Sequence, residues 1–183
     1  MSNPEALLVA AEDVAKVLRQ HGVEAVVIGA VAMAAYHYVR QTEDVDLGVN
    51  ASVTELRLIT ESLRAAGFQA VLTEADVENP LGGVIDVSGP FGQVQIINFA
   101  GRFPVVIDEA VRASTLVVSE GSSLRLVSIV HLIALKLYAG GYKSKSDIVE
   151  LISRNPDINL EEVRQLGVKY GLAGIDEILR EAS

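Results

Sequence analysis

Residues 26–30 read Val-Val-Ile-Gly-Ala, and residues 40–47 read Arg-Gln-Thr-Glu-Asp-Val-Asp-Leu. The first stretch is an apolar run that ends at a glycine, and the second leads into an apolar run that carries two carboxylates, Asp44 and Asp46. Side chains at positions i and i+2 of a strand point to the same face of a sheet, so the two aspartates are predicted to project together. The common reason for such a pair is a hard divalent cation, which prefers oxygen ligands.

Each half of this pattern also has a simpler interpretation. The two carboxylates could be solvated groups at an exposed strand end, since Asp-x-Asp is a common tripeptide. Gly29 could serve only a tight turn, because glycine adopts backbone angles that other residues avoid. It could instead let the backbone approach a ligand, and a helix that starts there would offer free N–H groups to a phosphate. The aspartates lie downstream of a strand–glycine–helix turn, which favours the phosphate and cation interpretation.

The composition predicts a folded domain with an acidic surface. The chain has 183 residues, of which 50% are hydrophobic and 5% aromatic, so one domain, with or without a helical extension, can build a core from Val, Leu, Ile and Ala. Fifteen basic and 24 acidic residues give a net charge of −9. Binding to a nucleic acid backbone depends on clustered Lys and Arg, and the chain offers no such cluster beyond Lys143 and Lys145. A long nucleic acid partner is therefore disfavoured.

The same sequence indicates a location away from membranes. No apolar stretch reaches about 18 residues, the length typical of a transmembrane helix, so no membrane partner is expected. The first five residues lack the basic region of a signal peptide, and the absence of cysteine excludes disulfides and thiolate zinc sites. We therefore expect a cytoplasmic protein, and the sequence leaves its oligomeric state open.

Hydrophobic periodicity and turn residues predict a mixed α/β sheet followed by helices. The predicted strands cover residues 24–28, 44–49, 68–72, 84–87 and 93–99, and a second hairpin joins residues 116–118 to 124–127. The predicted helices cover residues 4–20, 30–38, 52–66, 105–113, 129–138, 145–153, 160–170 and 174–181, with caps at Ser52, Ser128, Ser144 and Asn159. Residues 1–103 then form an α/β core, and residues 104–183 form a mainly helical C-terminal region packed on it.

Taken together, these residues resemble the nucleotidyltransferase superfamily, whose members include DNA polymerase beta. The superfamily pattern is an apolar strand, Gly followed by Gly or Ser, a helix, and Asp-x-Asp at the start of the next strand. Here it reads VIGA at residues 27–30 and DVDL at residues 44–47. The resemblance covers about residues 22–155 and is similar in detail to the AbiEii- and MNT-like branch of toxin–antitoxin proteins, through residues 40–44, 131–139 and 143–151.

The resemblance implies a mixed-sheet nucleotidyltransferase fold with a helical C-terminal extension. It also implies an Mg²⁺- or Mn²⁺-dependent transfer of a nucleoside monophosphate from an NTP to an acceptor hydroxyl. The implied catalytic residues, which would also hold the cation, are Asp44, Asp46 and Asp86. The implied nucleotide-binding residues are Gly29, Ala30, Arg40, Thr42 and Lys136. By analogy with toxin–antitoxin relatives, the acceptor would be a protein or a tRNA end.

Two positions depart from the superfamily pattern. Ala30 stands where the family has Gly or Ser, and it can offer phosphate only its backbone N–H. The third carboxylate is often the base that deprotonates the acceptor hydroxyl, and Asp86 is its candidate here. If the strand over residues 93–99 is the equivalent strand instead, it supplies Gln95 and Asn98 but no acid. The alternative function is then a catalytically degenerate protein that binds a nucleotide or a partner, as an antitoxin or regulator. A third interpretation is a chance Asp-x-Asp in an unrelated α/β protein.

Other polar residues also have two interpretations each. Lys136 either holds a triphosphate, as the resemblance implies, or packs its stem and extends its head to water. Arg40 either contacts phosphate or pairs with Glu43. Asp147 either pairs with Lys136 or Lys143, or stabilises a helix N-terminus. The remaining candidates are predicted to be packing residues, namely His37, His131, Tyr36, Tyr38 and Tyr138.

Overall fold

A five-stranded mixed sheet forms the centre of the fold. The computed structural model describes residues 4–76, 82–101 and 103–182. Its strands are β1 (Ala25–Ile28), β2 (Asp44–Val49), β3 (Gln69–Thr73), β4 (Val84–Gly89) and β5 (Gly92–Asn98). Its helices are α1 (Pro4–Gln20), α2 (Gly29–Ala35), α3 (Val53–Ala65), α4 (Pro104–Ala113), α5 (Ile129–Ala139), α6 (Gly141–Arg154), α7 (Leu160–Lys169) and α8 (Ile175–Ala182). The predicted mixed α/β architecture is confirmed.

The strand order is β1-β2-β5-β4-β3, so the last strand in sequence lies at the centre. β2 and β5 are parallel neighbours, whereas every other adjacent pair in this sheet is antiparallel. A parallel neighbour requires a crossover connection, which α3 and the β3–β4 pair supply. As a consequence, β5 lies directly beside the strand that carries the two aspartates, and β4 lies one strand further away.

Alternation of side chains gives the sheet a core face and a polar face. Val45, Leu47, Val94 and Ile96 are buried on the core face. Helix α1 packs against β2 and β5, and α3 packs against β3. The intervening residues at the start of β2, in β5 and in β4 share the other face, which we call the polar face: Asp44, Asp46, Gln93, Gln95, Asp86 and Ser88. Period-two patterning therefore separates the core from the candidate site.

Side-chain caps begin three of the helices as predicted. At α3, the backbone N–H of Glu55 donates to Ser52 Oγ and the backbone N–H of Ser52 donates to the Glu55 carboxylate, which completes a capping box. Ser128 at α5 and Asn159 at α7 each accept from the backbone N–H three residues further on. These contacts satisfy N–H groups that have no partner within the helix.

Two predicted helix boundaries are wrong. α6 begins at Gly141 and not after Ser144, because Gly140 turns the chain with a φ of 67° and leaves Ser144 inside the first turn. α2 ends at Ala35, because His37 adopts a φ of 62° in the left-handed region, where a helix cannot continue. His37 is also exposed, so its prediction as a packing residue is wrong.

The predicted hairpin after α4 is reduced to one antiparallel bridge, between Val117 and Arg125. The second half of this segment extends the sheet instead. Val27 of β1 donates its N–H to the Arg125 carbonyl at 2.8 Å and accepts from the Val127 N–H at 3.0 Å. This pairing gives partners to backbone groups at the edge of β1. It also brings the start of α5 close to the two motifs of the opening strands.

The C-terminal helices pack on one another and on the sheet. α4 contacts β1 and β2, while α5 contacts α4, α6 and α7. Residues Val130 to Leu135 of α5 are all buried, and Lys136 is the charged residue of this otherwise mostly apolar helix. Across the three described ranges, no helix combines the length and the apolar character needed to cross a membrane.

Asn98 ties the end of β5 to two neighbouring loops from the core face. Its Oδ1 accepts from the Ala51 N–H at 2.9 Å, and its Nδ2 donates to the carbonyls of Ala51 at 2.8 Å and Gly82 at 2.7 Å. Asn98 is 1% exposed, and the groups that it contacts are buried with it. Asn98 therefore satisfies backbone groups on the core face, away from the polar face that carries Asp44 and Asp46.

We predict that Asn98→Leu lowers the free energy of unfolding by about 2–4 kcal/mol, because buried backbone groups left without partners cost about 1–3 kcal/mol each. Urea denaturation at neutral pH measures the change. The matched control is Gln69→Leu, the same replacement at an exposed position of β3, which should change stability by less than about 0.5 kcal/mol. Equal effects of the two replacements would contradict the role given to Asn98.

Candidate functional site

The two halves of the opening motif meet where Gly29 contacts Asp46. β1 and β2 are antiparallel with Ile28 opposite Asp46, so the glycine that follows β1 lies beside the aspartate. A Cβ atom added to Gly29 would lie 1.9 Å from Asp46 Oδ2, and Gly29 has a φ of 67°. A larger residue would therefore clash with the carboxylate and strain the backbone. Glycine at position 29 therefore allows both the turn and the close approach of the Asp46 carboxylate.

The surroundings of Asp46 are unfavourable for an anion. Burial and then the negative charge of Asp44 raise the pKa of Asp46 to about 6, and the positive charge of Lys136 opposes this rise. No hydrogen-bond donor within the described ranges supports the Asp46 carboxylate, so burial and repulsion dominate. A cation placed between the two aspartates would reverse this balance, because it favours the charged form of both carboxylates.

Thr42 holds the other carboxylate. Its hydroxyl contacts the Asp44 Oδ1 and donates to the Asp44 backbone carbonyl at 3.2 Å. Thr42 also lines the polar part of the cleft described below. The structure therefore places this predicted nucleotide-binding residue where it orients Asp44.

A group of three charges, which we call the Asp147 triad, lies beside the aspartate pair. Asp147 accepts from Arg40 Nη1 at 2.9 Å and from Lys136 Nζ at 2.7 Å. The Asp147 side chain is 3% exposed, whereas those of Arg40 and Lys136 are 27% and 19% exposed. Asp147 pairs with Lys136, one of the two predicted partners, but Arg40 pairs with Asp147 and not with Glu43. One buried carboxylate thus holds two cations, and the triad carries a net charge of +1 at the cleft.

The cleft over these residues has an apolar part and a polar part. The apolar part has a volume of about 510 Å³, and its wall includes Ile97, Phe99, Leu132, Leu135 and Tyr138. The polar part has a volume of about 350 Å³, and its wall includes Ala30, Arg40, Thr42, Asp44 and Lys143. Gly29, Asp46 and Lys136 line both parts, so the two are continuous. Such a cleft suits a ligand with one charged end and one flat or apolar end.

The third predicted carboxylate, Asp86, does not join this pair. Asp46 lies opposite Gln95 of β5, and Gln95 lies opposite Asp86 of β4. Because neighbouring strands are about 4.8 Å apart, the backbones of the two aspartates are about 10 Å apart. The described residues contain no group of three or more His, Cys, Asp or Glu side chains placed to hold a metal. The position next to Asp46 is occupied instead by Gln95 of β5, the strand that carries no acid.

Sequence reasoning missed the Asp147 triad as a unit and the aromatic contact at the apolar end of the cleft. The ring of Tyr138 stacks on that of Phe103, with centroids 4.3 Å apart and an interplanar angle of 13°. The packing roles predicted for Tyr36 and His131 are confirmed: Tyr36 donates to the Val127 carbonyl at 2.7 Å, and His131 is 7% exposed. Burial lowers the pKa of His131. A lysine in an apolar helix and an aspartate near the next helix start were the available signals for the triad.

Comparison with known sequences gives a partial match. No protein-family model matches the chain. A 3-deoxy-manno-octulosonate cytidylyltransferase from Azorhizobium caulinodans is 34% identical over 79 residues, which are 41% of this chain and 32% of that protein. The chain therefore spans about a third of the length of this curated relative.

Comparison with solved structures covers nearly the whole chain. The solution structure of the antibiotic-resistance factor ANT(2'')-Ia is similar with a TM-score of 0.55 and 17% identity, over 93% of this chain and 92% of that one. A nucleotidyltransferase-like antigenic protein from Paracoccidioides brasiliensis is similar with a TM-score of 0.55 and 17% identity, over 99% and 93% of the two chains. Together with the strand order and the Gly29–Asp46 contact, this similarity shows that the chain has the nucleotidyltransferase fold.

Proposed function

We propose that the cleft binds a nucleoside triphosphate together with Mg²⁺ or Mn²⁺, and that it transfers the nucleoside monophosphate to an acceptor hydroxyl. The observation that carries this proposal is the Asp44–Asp46 pair, in which a half-buried carboxylate with a raised pKa lies against Gly29 and beside a second carboxylate. Mg²⁺ is commonly bound by one or two carboxylates plus substrate phosphates. Two carboxylates without a protein cation between them therefore fit a cation that arrives with a nucleotide.

The remaining charges suit the other parts of such a ligand. The Asp147 triad presents Arg40 and Lys136 on the side of the cleft where a triphosphate would need positive charge. Phosphates would lie near Gly29 and Ala30, where Ala30 offers its backbone N–H. The apolar part of the cleft, with Phe99 and Leu132 in its wall, would accept the base or an apolar part of the acceptor.

In the proposed transfer, the acceptor oxygen forms a bond to the α-phosphorus while the bond from that phosphorus to the leaving pyrophosphate breaks. The bound cation would neutralise charge on the phosphates. We propose that the hydroxyl proton passes to Oδ2 of Asp86, the acidic side chain of β4, because Oδ1 is the oxygen that accepts from Gln93 and Gln95. An acceptor that lies over Gln95 would bring its hydroxyl between Asp86 and the aspartate pair.

The acceptor and the biological setting are also proposals. ANT(2'')-Ia, which shares the fold, is known in complex with adenylyl-2''-tobramycin. For this chain we propose an acceptor on a protein or a tRNA end, in a toxin–antitoxin system of the AbiEii- and MNT-like kind. The net charge of −9 disfavours extended contact with a long nucleic acid.

A second candidate function is nucleotide binding without transfer, as in an antitoxin or regulator. The specific observation in its favour is Gln95, an amide at the position next to Asp46 where a third carboxylate is expected. An amide cannot act as a base at neutral pH. Formation of a labelled acceptor and pyrophosphate distinguishes transfer from binding alone.

We predict that replacing Asp44 and Asp46 together by alanine abolishes Mg²⁺-dependent binding of NTPs. The loss should exceed the roughly 10–100-fold that removal of an outer-shell partner causes, because both carboxylate ligands are removed. Calorimetric titration with each of the four NTPs, with and without Mg²⁺, measures it. The control removes the same charge from exposed positions on α1 and between α6 and α7, by Asp13→Ala with Asp157→Ala. Binding that survives in the first variant would overturn the proposal.

We also predict that Asp46→Asn stabilises the ligand-free protein above pH 6. The pKa of Asp46 is higher in the folded protein than in the unfolded chain, so the stability contributed by its proton is present at low pH and is lost as the pH rises through about 6. A pKa raised from 3.8 to about 6 corresponds to about 3 kcal/mol. Urea denaturation at pH 4–8 should show wild type losing up to this amount relative to Asp46→Asn.

The control for this pH dependence is Asp13→Asn, at an exposed position of α1. Its stability should follow that of the wild type at every pH. If Asp46→Asn is less stable than wild type at pH 8 by as much as at pH 4, then Asp46 is not the unfavourable anion described above.

A further inference from the structure

A row of three polar side chains crosses the polar face from β2 to β4. Asp46, Gln95 and Asp86 are paired across adjacent strands, so their side chains project from the same face of the sheet. Gln95 is the middle member, and its amide Nε2 donates to Asp86 Oδ1 at 2.7 Å. The row therefore reads carboxylate, amide, carboxylate, with the amide already bonded on one side.

The chemistry of the two groups determines which way the amide points. An ionised carboxylate only accepts hydrogen bonds, so the Gln95 end that faces Asp86 must be Nε2 and not Oε1. β5 lies between β4 and β2, and an amide that uses its nitrogen on the β4 side keeps its oxygen for the β2 side. No donor in the described ranges bonds to Gln95 Oε1. The bond to Asp86 therefore leaves the neutral amide oxygen of Gln95 available to the strand that carries Asp44 and Asp46.

We propose that Gln95 Oε1 is the third protein ligand of the cation held by Asp44 and Asp46, and that Asp86 is the positioning residue that fixes its orientation. This inference rests on the proposed function of the aspartate pair. Amide oxygens are accepted ligands of hard cations, and affinity is tuned by the number of charged ligands. A site with two charged ligands in place of three binds the bare cation weakly. Its affinity for the cation rises most when phosphate oxygens of a nucleotide complete the coordination.

Binding of Mn²⁺ alone tests the ligand set, with the free ion measured by its paramagnetic resonance. Gln95→Asp should bind Mn²⁺ at least about tenfold more tightly than wild type, because it adds a third charged ligand. The matched control, Gln69→Asp, adds the same charge to the same sheet at an exposed position of β3 and should leave the affinity within about twofold. Equal gains in both variants would show a general charge effect and overturn the proposal.

Loss of the amide oxygen gives the opposite test. Gln95→Met keeps the chain length but removes Oε1, and it should weaken binding of Mn²⁺ with ATP, GTP, CTP or UTP by about tenfold or more. Gln69→Met is its matched control, because it makes the same replacement at an exposed position of β3, away from the aspartate pair. Equal losses in the two methionine variants would overturn the ligand role of Gln95.

The positioning role of Asp86 has its own readout. Asp86→Asn replaces a group that only accepts by an amide that both donates and accepts, so Gln95 is no longer held in one orientation and Mn²⁺ binding should weaken. The double variant Asp86→Asn with Gln95→Asp should retain the tight binding of Gln95→Asp, because a carboxylate needs no orientation. If Asp86 has a merely structural role, Asp86→Asn should weaken Mn²⁺ binding both in the wild type and in Gln95→Asp. That result would overturn the positioning role of Asp86.

The controls separate this inference from the proposed function. If wild type binds neither Mn²⁺ nor Mn²⁺ with any nucleotide, the proposed function and this inference both fail. If wild type binds Mn²⁺ with nucleotide and Gln95→Met leaves the affinity unchanged, this inference alone fails. Thermal melting of every variant confirms that each is folded under the conditions of the binding measurement.

Discussion

The contact between the Asp46 carboxylate and the bare backbone of Gly29 is the constraint on which the rest of the site depends. A Cβ atom at position 29 would lie 1.9 Å from the carboxylate oxygen, so this approach is open only to glycine. The antiparallel pairing of β1 and β2 brings the two residues together, although 16 residues separate them in the chain. The turn at Gly29, the pairing of β1 with β2 and the half-buried Asp46 carboxylate therefore form one structural unit.

The distribution of charge around this unit explains why the cleft suits an anionic ligand that carries its own cation. Two carboxylates lie close together, and burial with mutual repulsion raises the pKa of Asp46 to about 6. Lys136 and Arg40 bond to Asp147, at 2.7 Å and 2.9 Å, and not to the aspartate pair. The two charge groups remain separate, and a ligand with phosphates and a cation would complement both.

The amide beside the aspartate pair has a different origin. β5 is inserted between β2 and β4, so the residue next to Asp46 is Gln95 and the nearest further acid is one strand beyond. Asp86 accepts from the amides of Gln93 and Gln95, so these two glutamines link β4 to β5 on the polar face. Under the proposed function, the cation site would therefore consist of two carboxylates and the Gln95 amide, because residue 95 occupies the position beside Asp46.

The sequence by itself determined the elements and the aspartate pair. Period-two and period-3.6 patterns identified the strands and most helices, and caps such as Ser52, Ser128 and Asn159 act within four residues, so local chemistry was sufficient for them. Local signals failed where backbone geometry determined a helix boundary. The positive φ of Gly140 lets α6 begin at Gly141, before the predicted cap at Ser144.

Only the tertiary structure decided which distant residues share the site. Strand order placed Gln95 and not Asp86 beside Asp46, and no local pattern encodes the order of strands in a sheet. The pairing of Arg40 with Asp147 joins residues 107 positions apart, and it depends on how α6 packs beside α5. The raised pKa of Asp46 likewise follows from burial and a neighbouring charge, which exist only once the chain has folded.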